Sequence, residues 1–284
     1  MGRIVFIDGK YLPANEGKVS IFDRGFLFAD GVYEVTAVIR GCLVDNAEHM
    51  ARLFRSMQAL GMPALSMTPE AIQQAQQLLV ERNHLKEGTV YLQVTRGVAE
   101  RSFTFPENPR LTVVMFTQAQ DIIDAPLAAR GMSVITMPDM RWKRRDIKTT
   151  GLLAASMARQ AALRAGAEDA WLVENGYVTE GTSSNTYILT RDGVVKTQPE
   201  GHQILSGITR RAIHGLSEQY GIRIEYMPFT VEEAMQAREA FITSASTLVT
   251  PVVRLDGQPV GAGCPGPFVQ RLRQLYIAAA LDSA

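Results

Sequence analysis

Residues 170–189 read AWLVENGYVTEGTSSNTYIL, and this stretch changes abruptly between apolar and polar sequence. The apolar, β-branched and aromatic residues at 170–173 and 187–189 predict two strands. Asn175-Gly176 is a favoured pair for a two-residue hairpin turn. Between that turn and the second strand lies the polar run Thr179-Glu180-Gly181-Thr182-Ser183-Ser184-Asn185. The stretch therefore predicts a hairpin-containing sheet interrupted by a polar segment.

The polar run allows two interpretations. If it is buried, its side chains need hydrogen-bonding partners, because unpaired polar groups are costly in an apolar environment. A buried Glu180 carboxylate would keep a facing pyridine nitrogen protonated, which makes such a ring an electron sink. A solvent-exposed loop rich in serine, threonine and asparagine explains the same residues.

Strand and helix patterns continue on both sides of this stretch. The predicted elements are a hairpin over 4–13 that turns at Asp8-Gly9, strands over 33–39, 42–44, 89–96, 111–117 and 132–136, a hairpin at Asp192-Gly193, helices over about 47–60, 150–165, 208–220 and 268–281, and a further helix that begins at Thr68-Pro69. Both halves of the chain combine strands with helices, so we expect a mixed α/β (α+β) protein.

Residues 119–128 lack a clear hydrophobic period and interrupt this pattern. We therefore expect a small N-terminal domain over 1–118, a linker over 119–128 and a larger domain over 129–284. The sequence shows no repeat and no low-complexity segment.

The overall charge of the chain is balanced. Its 284 residues include 29 Lys+Arg and 29 Asp+Glu, which gives a formal net charge of zero. Nothing in this balance supports binding to nucleic acid or to a membrane surface. The two cysteines are far apart and form no zinc-ligand spacing, and no signal peptide or membrane-spanning run is evident. We expect free thiols, a cytoplasmic protein and no metal.

Lys148 is one of only six lysines and lies in an unusual setting. The basic stretch 141–145 precedes it, and an apolar predicted helix follows it. Partial desolvation and neighbouring cations would both lower the pKa of its amine and favour Schiff-base formation. A solvated lysine near a helix start is the alternative interpretation.

Two further segments favour an anion. Gly207-Ile208-Thr209-Arg210 begins a predicted helix, whose first backbone amides attract phosphate; an ordinary threonine cap is the alternative. Residues 241–247 form an apolar strand that ends in hydroxyl side chains, which suit phosphate oxygens or a simple turn.

Six ordered motifs together resemble the signature of fold-type IV aminotransferases, which use pyridoxal 5′-phosphate. They are Asp23-Arg24-Gly25, Asp30-Gly31-Val32-Tyr33-Glu34, His49-Met50-Ala51-Arg52-Leu53, Asp146-Ile147-Lys148, the polar run 179–185, and Gly207-Ile208-Thr209-Arg210. The match extends from about residue 3 to the C-terminal helix and is nearest to the D-amino-acid (D-alanine) transaminases. This resemblance implies a small N-terminal α+β domain and a larger C-terminal domain with a pseudo-barrel sheet.

The resemblance also implies roles for individual residues. Lys148 would hold the cofactor as a Schiff base and shuttle the proton between substrate Cα and cofactor C4′. Glu180 would pair with the pyridine nitrogen, and Leu205 would pack on the ring. The phosphate would be held by Arg52, Ile208, Thr209, Ser244 and Ala245. Tyr33 would line the substrate pocket. His49 is interpreted as a histidine on a helix surface.

The chain departs from the family pattern at two positions. D-transaminases of this kind use an Arg-x-His pair that reaches across the dimer to the substrate carboxylate. Here Arg101 matches the arginine, whereas Phe103 replaces the histidine. Ala245 stands where a hydroxyl residue often contacts the phosphate, so only its backbone is available.

The resulting hypothesis is a homodimeric transaminase that moves an amino group from a D-amino acid to a 2-oxo acid, such as pyruvate or 2-oxoglutarate, by a ping-pong mechanism. Alternatives on the same fold are a branched-chain L-amino-acid or (R)-amine transaminase and an aminodeoxychorismate-type lyase. A catalytically silent protein that binds pyridoxal phosphate is an alternative of a different class.

Overall fold

The computed structural model describes residues 2–282, which form two compact units. The first unit contains 2–121 together with Ile147–Gly151, and the second contains Ile122–Asp146 and Leu152–Asp282. The division at 121/122 falls inside the segment predicted as a linker. The segment that carries Lys148, however, belongs to the first unit, although the sequence placed it in 129–284.

The first unit consists of one antiparallel sheet and three helices. Its elements in chain order are β1 (Ile4–Ile7), β2 (Lys10–Pro13), α1 (Arg24–Phe28), β3 (Gly31–Ile39), β4 (Cys42–Leu43), α2 (Asn46–Ala59), α3 (Pro69–Arg82), β5 (Glu87–Thr95) and β6 (Thr112–Ala119). The strands follow the order β2-β1-β6-β5-β3-β4. The β1–β2 hairpin turns at Asp8 and Gly9, both with positive φ, as the sequence predicts.

The core of the first unit lies between the sheet and helices α2 and α3. Val32, Leu92 and Met115 from the strands pack with Leu53 from α2 and Ile72 from α3, and all five are fully buried. Alternation along β3 directs Val32 and Glu34 into this layer, while the side chains of Tyr33 and Val35 on the opposite face are half-buried. Ile147 joins the same core, which fixes the segment that carries Lys148 in the first unit.

The second unit is built on a nine-stranded mixed sheet. Its elements in chain order are α4 (Pro126–Arg130), β7 (Met132–Pro138), α5 (Leu153–Arg164), β8 (Asp169–Glu174), β9 (Tyr177–Gly181), β10 (Asn185–Leu189), β11 (Val195–Thr197), α6 (Ile208–Tyr220), β12 (Ile224–Tyr226), α7 (Val231–Met235), β13 (Glu239–Ser244), β14 (Leu248–Leu255), β15 (Gln258–Pro259) and α8 (Pro267–Asp282). The strands follow the order β12-β11-β10-β13-β14-β7-β8-β9, with β15 on β14. Strand β7 is parallel to both β14 and β8.

Trp171 and Phe229 pack edge to face in the main core of the second unit, together with Ile242 and Val252. The mixed α/β class predicted from the sequence is confirmed. Helix α6 begins and ends where the sequence predicts, because Gly207 precedes it and Gly221, with a φ of 66°, ends it. Among the residues described, no helix combines the length and apolarity needed to cross a bilayer.

The predicted helix over 150–165 begins three residues later than expected, at Leu153. Thr150 cannot join it because its backbone and side chain are bound elsewhere. Its amide donates to the Gly31 carbonyl over 3.1 Å, and its Oγ1 donates to the Ala29 carbonyl over 2.9 Å. These tertiary contacts outweigh the local helical pattern.

Candidate active site

Lys148 lies in the first unit beside strand β3. The Tyr33 amide donates to the Lys148 carbonyl over 3.0 Å, and Val32 and Thr149 form an isolated antiparallel bridge. The Lys148 Nζ lies 4.3 Å from the centre of the Tyr33 ring, where the negative face of the ring attracts an ammonium group. The structure thus brings together two of the predicted site residues, Lys148 and Tyr33.

Tyr33 begins a row of stacked aromatic side chains on its face of the sheet. Its ring centre is 5.5 Å from that of Tyr91, which lies 4.7 Å from the ring centre of Phe116. The Tyr91 hydroxyl donates to Gln93 Oε1 over 2.7 Å. Stacked rings of this kind hold the Tyr33 ring, and the amine above it, in one orientation.

A buried group on the opposite face of β3 contains Glu34, His49 and Arg52. Arg52 forms a two-pronged pair with Glu34, with Nε 2.8 Å from Oε1 and Nη2 2.7 Å from Oε2. His49 Nδ1 lies 2.7 Å from Oε2 of the same carboxylate. Burial would raise the pKa of Glu34, but Arg52 and His49 together lower it to about 2. Glu34 is therefore an ionised anchor for Arg52.

The interpretation of His49 as a helix-surface residue is wrong, because only 2% of it is exposed. Along α2, His49, Leu53 and Ser56 recur at helical spacing and all face the sheet. Burial lowers the pKa of His49, in opposition to the neighbouring Glu34 carboxylate. The sequence contained a usable signal, namely a glutamate at an inward-facing position of a predicted strand.

Glu180 lies in the second unit near the end of β9, and the polar run that contains it is largely buried. Its Oε1 accepts from the Leu205 amide over 2.8 Å and from Asn185 Nδ2 over 2.9 Å. Its Oε2 accepts from Arg141 Nη1 over 2.6 Å. Burial raises the pKa of Glu180, although Arg141 acts to lower it. Three donors hold the carboxylate in place and leave it capacity for one more.

Arg141 and Asn185 were not among the predicted site residues. Arg141 is itself held by Asp139, through Nε at 3.0 Å and Nη2 at 2.8 Å. Asn185 also donates to the Leu205 carbonyl over 2.8 Å. The Leu205 peptide is thus bound at both ends, which fixes the Leu205 side chain relative to Glu180. The sequence offered no local signal that Arg141 belongs to the site, because Glu180, the site residue that it binds, lies 39 positions away.

The N-terminus of α6 and the end of β13 lie next to this carboxylate. Gly207 caps α6 and has no side chain that could satisfy the first amides of the helix. A Cβ at Gly207 would lie 2.2 Å from Asn185 Oδ1, so a larger residue there would displace the Asn185 side chain that binds Glu180. Strand β10 pairs Asn185 with Thr243, and the next residue along β13 is Ser244.

Hydroxyl groups cluster where β13 ends. The Ser244 and Thr247 hydroxyls are 2.8 Å apart, and the Thr247 amide donates to Ser244 Oγ over 3.2 Å. Ala245 lies within this turn. The second unit therefore brings Glu180, Leu205, Ile208, Thr209, Ser244 and Ala245 to one end of its sheet.

Arg101 and Phe103 lie in the first unit, in the irregular segment that follows β5. Phe103 is 83% exposed, and Arg101 is also exposed. The Arg101 guanidinium carbon lies 5.5 Å from the centre of the Phe28 ring and 5.8 Å from that of Phe103. Among the residues that the structure describes, no group of three or more His, Cys, Asp or Glu side chains could hold a metal ion.

Comparison with known proteins identifies relatives over almost the whole chain. The family model described as "Amino-transferase class IV" matches residues 31–255. D-alanine aminotransferase of Staphylococcus aureus (strain COL) is 38% identical over 272 residues, which covers 95% of each chain. D-alanine aminotransferase of Bacillus licheniformis is 39% identical over 273 residues, which covers 95% of this chain and 94% of the relative.

Solved structures of aminotransferases share the fold of this chain. Branched-chain amino acid aminotransferase of Escherichia coli superposes with a TM-score of 0.91 at 22% identity, covering 99% of this chain and 95% of the other. Branched-chain aminotransferase of the thermophilic archaeon Thermoproteus uzoniensis superposes with a TM-score of 0.86 at 25% identity, covering 99% and 96%. The predicted fold-type IV architecture is confirmed.

Proposed function

Because the chain belongs to the amino-transferase class IV family, we propose that it transfers the amino group of a D-amino acid to a 2-oxo acid such as pyruvate or 2-oxoglutarate. The observation that carries this proposal is the identity of 38–39% with D-alanine aminotransferases over 95% of the chain. The branched-chain aminotransferase structures are less similar in sequence, at 22–25% identity. A ping-pong mechanism would carry the amino group on the enzyme between the two substrates.

The donors and the carboxylate of the second unit fit pyridoxal 5′-phosphate, the cofactor that this family uses. The first amides of α6 and the hydroxyls near Ser244 are donors suited to a phosphate dianion. The buried carboxylate of Glu180 retains capacity for a cationic ring nitrogen. When bound, pyridoxal phosphate supplies an aldehyde that captures amines and a ring that accepts electrons from the substrate Cα.

Lys148 would bind the aldehyde carbon and then, with its amine released, remove the proton from the substrate Cα. Its Nζ is held against the Tyr33 ring at 4.3 Å. A positioned amine is an effective proton carrier because it needs no search for its orientation. Tyr33 orients this amine and would also form one wall of the substrate pocket.

Glu180 would hold the ring nitrogen in its protonated state. Its carboxylate is 3% exposed, so its charge acts in a region of low dielectric constant. Burial raises the pKa of Glu180 and Arg141 opposes that rise, while the Leu205 amide and Asn185 fix the direction of the carboxylate. This charge matters most when negative charge develops at the substrate Cα. Leu205, bound at both ends of its peptide, would pack on the ring.

The phosphate would be bound by the amides of Ile208 and Thr209, by the Ser244 hydroxyl and by the backbone at Ala245. Arg52 would add a positive charge, and its pair with Glu34 would fix the direction of the guanidinium. These roles follow from the family resemblance and from the chemistry of the donors.

Arg101 would bind the carboxylate of the amino acid. A guanidinium can form two parallel hydrogen bonds with a carboxylate, and Arg101 is exposed and flanked by two aromatic rings. Phe103 cannot donate the hydrogen bond that a histidine would supply. We therefore expect a weaker grip on the carboxylate and greater tolerance of apolar substrate groups.

We also propose that the chain forms a homodimer. Within the first unit, most of the large exposed apolar side chains lie in two adjacent segments, 19–28 and 97–103, and they include Ile21, Phe26 and Phe103 at 68%, 72% and 83% exposure. The Ala99 amide donates to the Phe22 carbonyl over 3.2 Å, which joins the two segments into one surface. A patch of this kind is typical of a subunit interface. A cytoplasmic location stays a prediction; Cys42 and Cys264 are both free thiols.

The proposal is tested by incubating the purified enzyme with 2-oxoglutarate and either D-alanine or L-alanine, and measuring pyruvate. We expect pyruvate from D-alanine at a rate far above that from L-alanine. The same incubation with L-leucine or an arylalkyl (R)-amine in place of alanine is followed by the glutamate formed. A faster reaction with L-leucine would favour the branched-chain alternative, and a faster reaction with the amine would favour the amine transaminase. Release of pyruvate from aminodeoxychorismate, which already carries the enolpyruvyl group, in repeated turnovers without a 2-oxo acid acceptor would favour a lyase. No reaction with any of these substrates would indicate a silent binding protein.

A further inference from the structure

One carboxylate, Asp30, is shared by two buried arginines in the first unit. Arg24 Nε lies 2.7 Å from Asp30 Oδ2, and Arg96 Nε lies 2.8 Å from the same oxygen. The exposed fractions of the three side chains are 3%, 9% and 2% for Arg24, Asp30 and Arg96. A buried charge is costly unless it is paired and hydrogen-bonded. The remaining N–H donors of the two arginines therefore need acceptors close by.

The remaining donors of Arg24 point to a single segment of the chain. Its Nη1 donates to the Ser102 carbonyl over 2.7 Å and approaches the Thr104 carbonyl at 3.3 Å. Its backbone amide donates to the Gly97 carbonyl over 2.8 Å. Arg24 therefore holds both ends of the segment 97–104.

An aromatic side chain completes the attachment just beyond this segment. The Phe105 ring centre lies 3.7 Å from the Arg96 guanidinium carbon and 5.5 Å from that of Arg24. Arg96 uses its other donors on the carbonyls at the end of α2, with 2.8 Å to Leu60 and 3.2 Å to Gly61. The cluster thus joins a helix end to the segment through two arginines.

The segment 97–104 forms no helix and no extended strand, and it carries the exposed residues Arg101 and Phe103 between its two attachment points. An irregular segment without such contacts would sample many conformations, and ordering it on ligand binding would reduce affinity. The side chains of Ser102 and Thr104 hydrogen-bond to each other at 2.8 Å, which adds a local constraint.

We propose that Arg24, braced by Asp30, is a positioning residue that presents Arg101 to the carboxylate of the substrate. This inference rests on the proposed function, because it assigns Arg24 to substrates that carry an α-carboxylate. Lysine could pair with Asp30 or reach the Ser102 carbonyl, but its single ammonium group cannot reproduce the two separated donors of the guanidinium. Arg24→Lys therefore retains the charge and the backbone hydrogen bond to Gly97, but it cannot bind Asp30 and the Ser102 carbonyl at the same time.

The first measurement is steady-state kinetics of the holoenzyme with D-alanine and with an arylalkyl (R)-amine. We expect Arg24→Lys to raise KM for D-alanine about tenfold, with kcat changed less than about threefold and the amine kinetics unchanged, since ground-state capture alone is weakened. Arg130→Lys is the matched control, because Arg130 is 61% exposed and pairs with Glu168 on the surface. A parallel loss for both substrates would overturn the inference.

A double-mutant cycle and hydrogen exchange make the test specific. In an Arg101→Ala background, Arg24→Lys should have no further effect on KM for D-alanine, because its effect is transmitted through Arg101. Amides of 98–104 should exchange faster in Arg24→Lys than in the wild type, while those of β5 should not. If amides 98–104 exchanged at the same rate in Arg24→Lys and the wild type, and the effects of Arg24→Lys and Arg101→Ala on KM were additive, the proposed role of Arg24 would be overturned. The proposed function would still stand, provided that the wild type is active. Absence of a reaction between the wild type and any amino acid would contradict the proposed function itself.

Discussion

Arg141 and Glu180 are joined by a hydrogen bond of 2.6 Å between Nη1 and Oε2, and both side chains are largely buried. The pair is completed by Asp139 on the arginine side and by the Leu205 amide and Asn185 on the carboxylate side. Three hydrogen-bond donors, one of them the positively charged Arg141, thus bind the Glu180 carboxylate. This arrangement suits a group that must face a positive charge without moving.

Glu180→Gln should slow proton removal from the substrate by about 100-fold, the effect typical of losing one preorganised electrostatic contact. The amide would also present a donor to groups that are themselves donors. The measurement compares single-turnover rates for D-alanine and α-deuterated D-alanine, together with cofactor affinity from fluorescence. Glu225→Gln is the matched control, because Glu225 lies on the edge strand β12 and pairs with Arg223, which is 72% exposed. Equal losses of rate and cofactor affinity would contradict the proposed role.

Lys148→Ala should abolish transamination, whereas Lys143→Ala should leave it nearly unchanged. Lys143 is 80% exposed and pairs with Glu174, while Lys148 lies over the Tyr33 ring. Borohydride reduction followed by peptide mapping should find the cofactor on Lys148. Attachment to Lys143, or substantial turnover by Lys148→Ala, would show that the wrong lysine has been assigned.

Arg101→Ala should reduce kcat/KM for D-alanine by about 10- to 150-fold, which corresponds to a charged hydrogen bond of about 1.5–3 kcal/mol. An arylalkyl (R)-amine lacks the carboxylate, so its kcat/KM should change little. Phe103→His should lower KM for D-alanine and penalise the amine, because it adds a donor and removes apolar surface. If Arg101→Ala impaired both substrates equally, Arg101 would not be the carboxylate ligand.

The stability of the protein should decrease as the pH falls from about 7 to about 4, in part through His214. Burial lowers the pKa of His214 to about 4, with help from Arg210 and against the effect of Glu200. An unfolded histidine titrates near about 6.5, so the unfolded state binds more protons between these values, and the free energy of unfolding falls with pH.

His214→Gln should therefore reduce the slope of Tm against pH over this range, measured by thermal unfolding. The buried His49 shifts in the same direction and accounts for part of the slope that remains. His84→Asn is the matched control, because His84 is exposed and its positive φ of 50° suits asparagine. An unchanged slope in His214→Gln would contradict this account.

Local sequence determined many of the element boundaries. The Asp8-Gly9 and Asn175-Gly176 turns have the positive φ angles that their residues favour, and α6 is bounded by glycines. The contacts of the candidate site were less accessible to sequence reasoning. Glu34 and Arg52 are 18 positions apart, and Arg141 and Glu180 are 39 apart, so only the folded sheet shows these pairs. Long-range contacts also explain why the helix predicted from residue 150 begins only at Leu153, because the hydrogen bonds of Thr150 to Ala29 and Gly31 override the local helical pattern.

The central claim is tested most directly by a half-reaction of the cofactor-loaded enzyme with single amino acids in the absence of a 2-oxo acid. We expect the protein to be yellow, to lose its visible absorption with D-alanine, and to retain it with L-alanine and L-leucine. The released pyruvate should equal the absorbance lost. A colourless protein that stays colourless with added pyridoxal phosphate, or a bleaching by L-amino acids alone, would contradict the account.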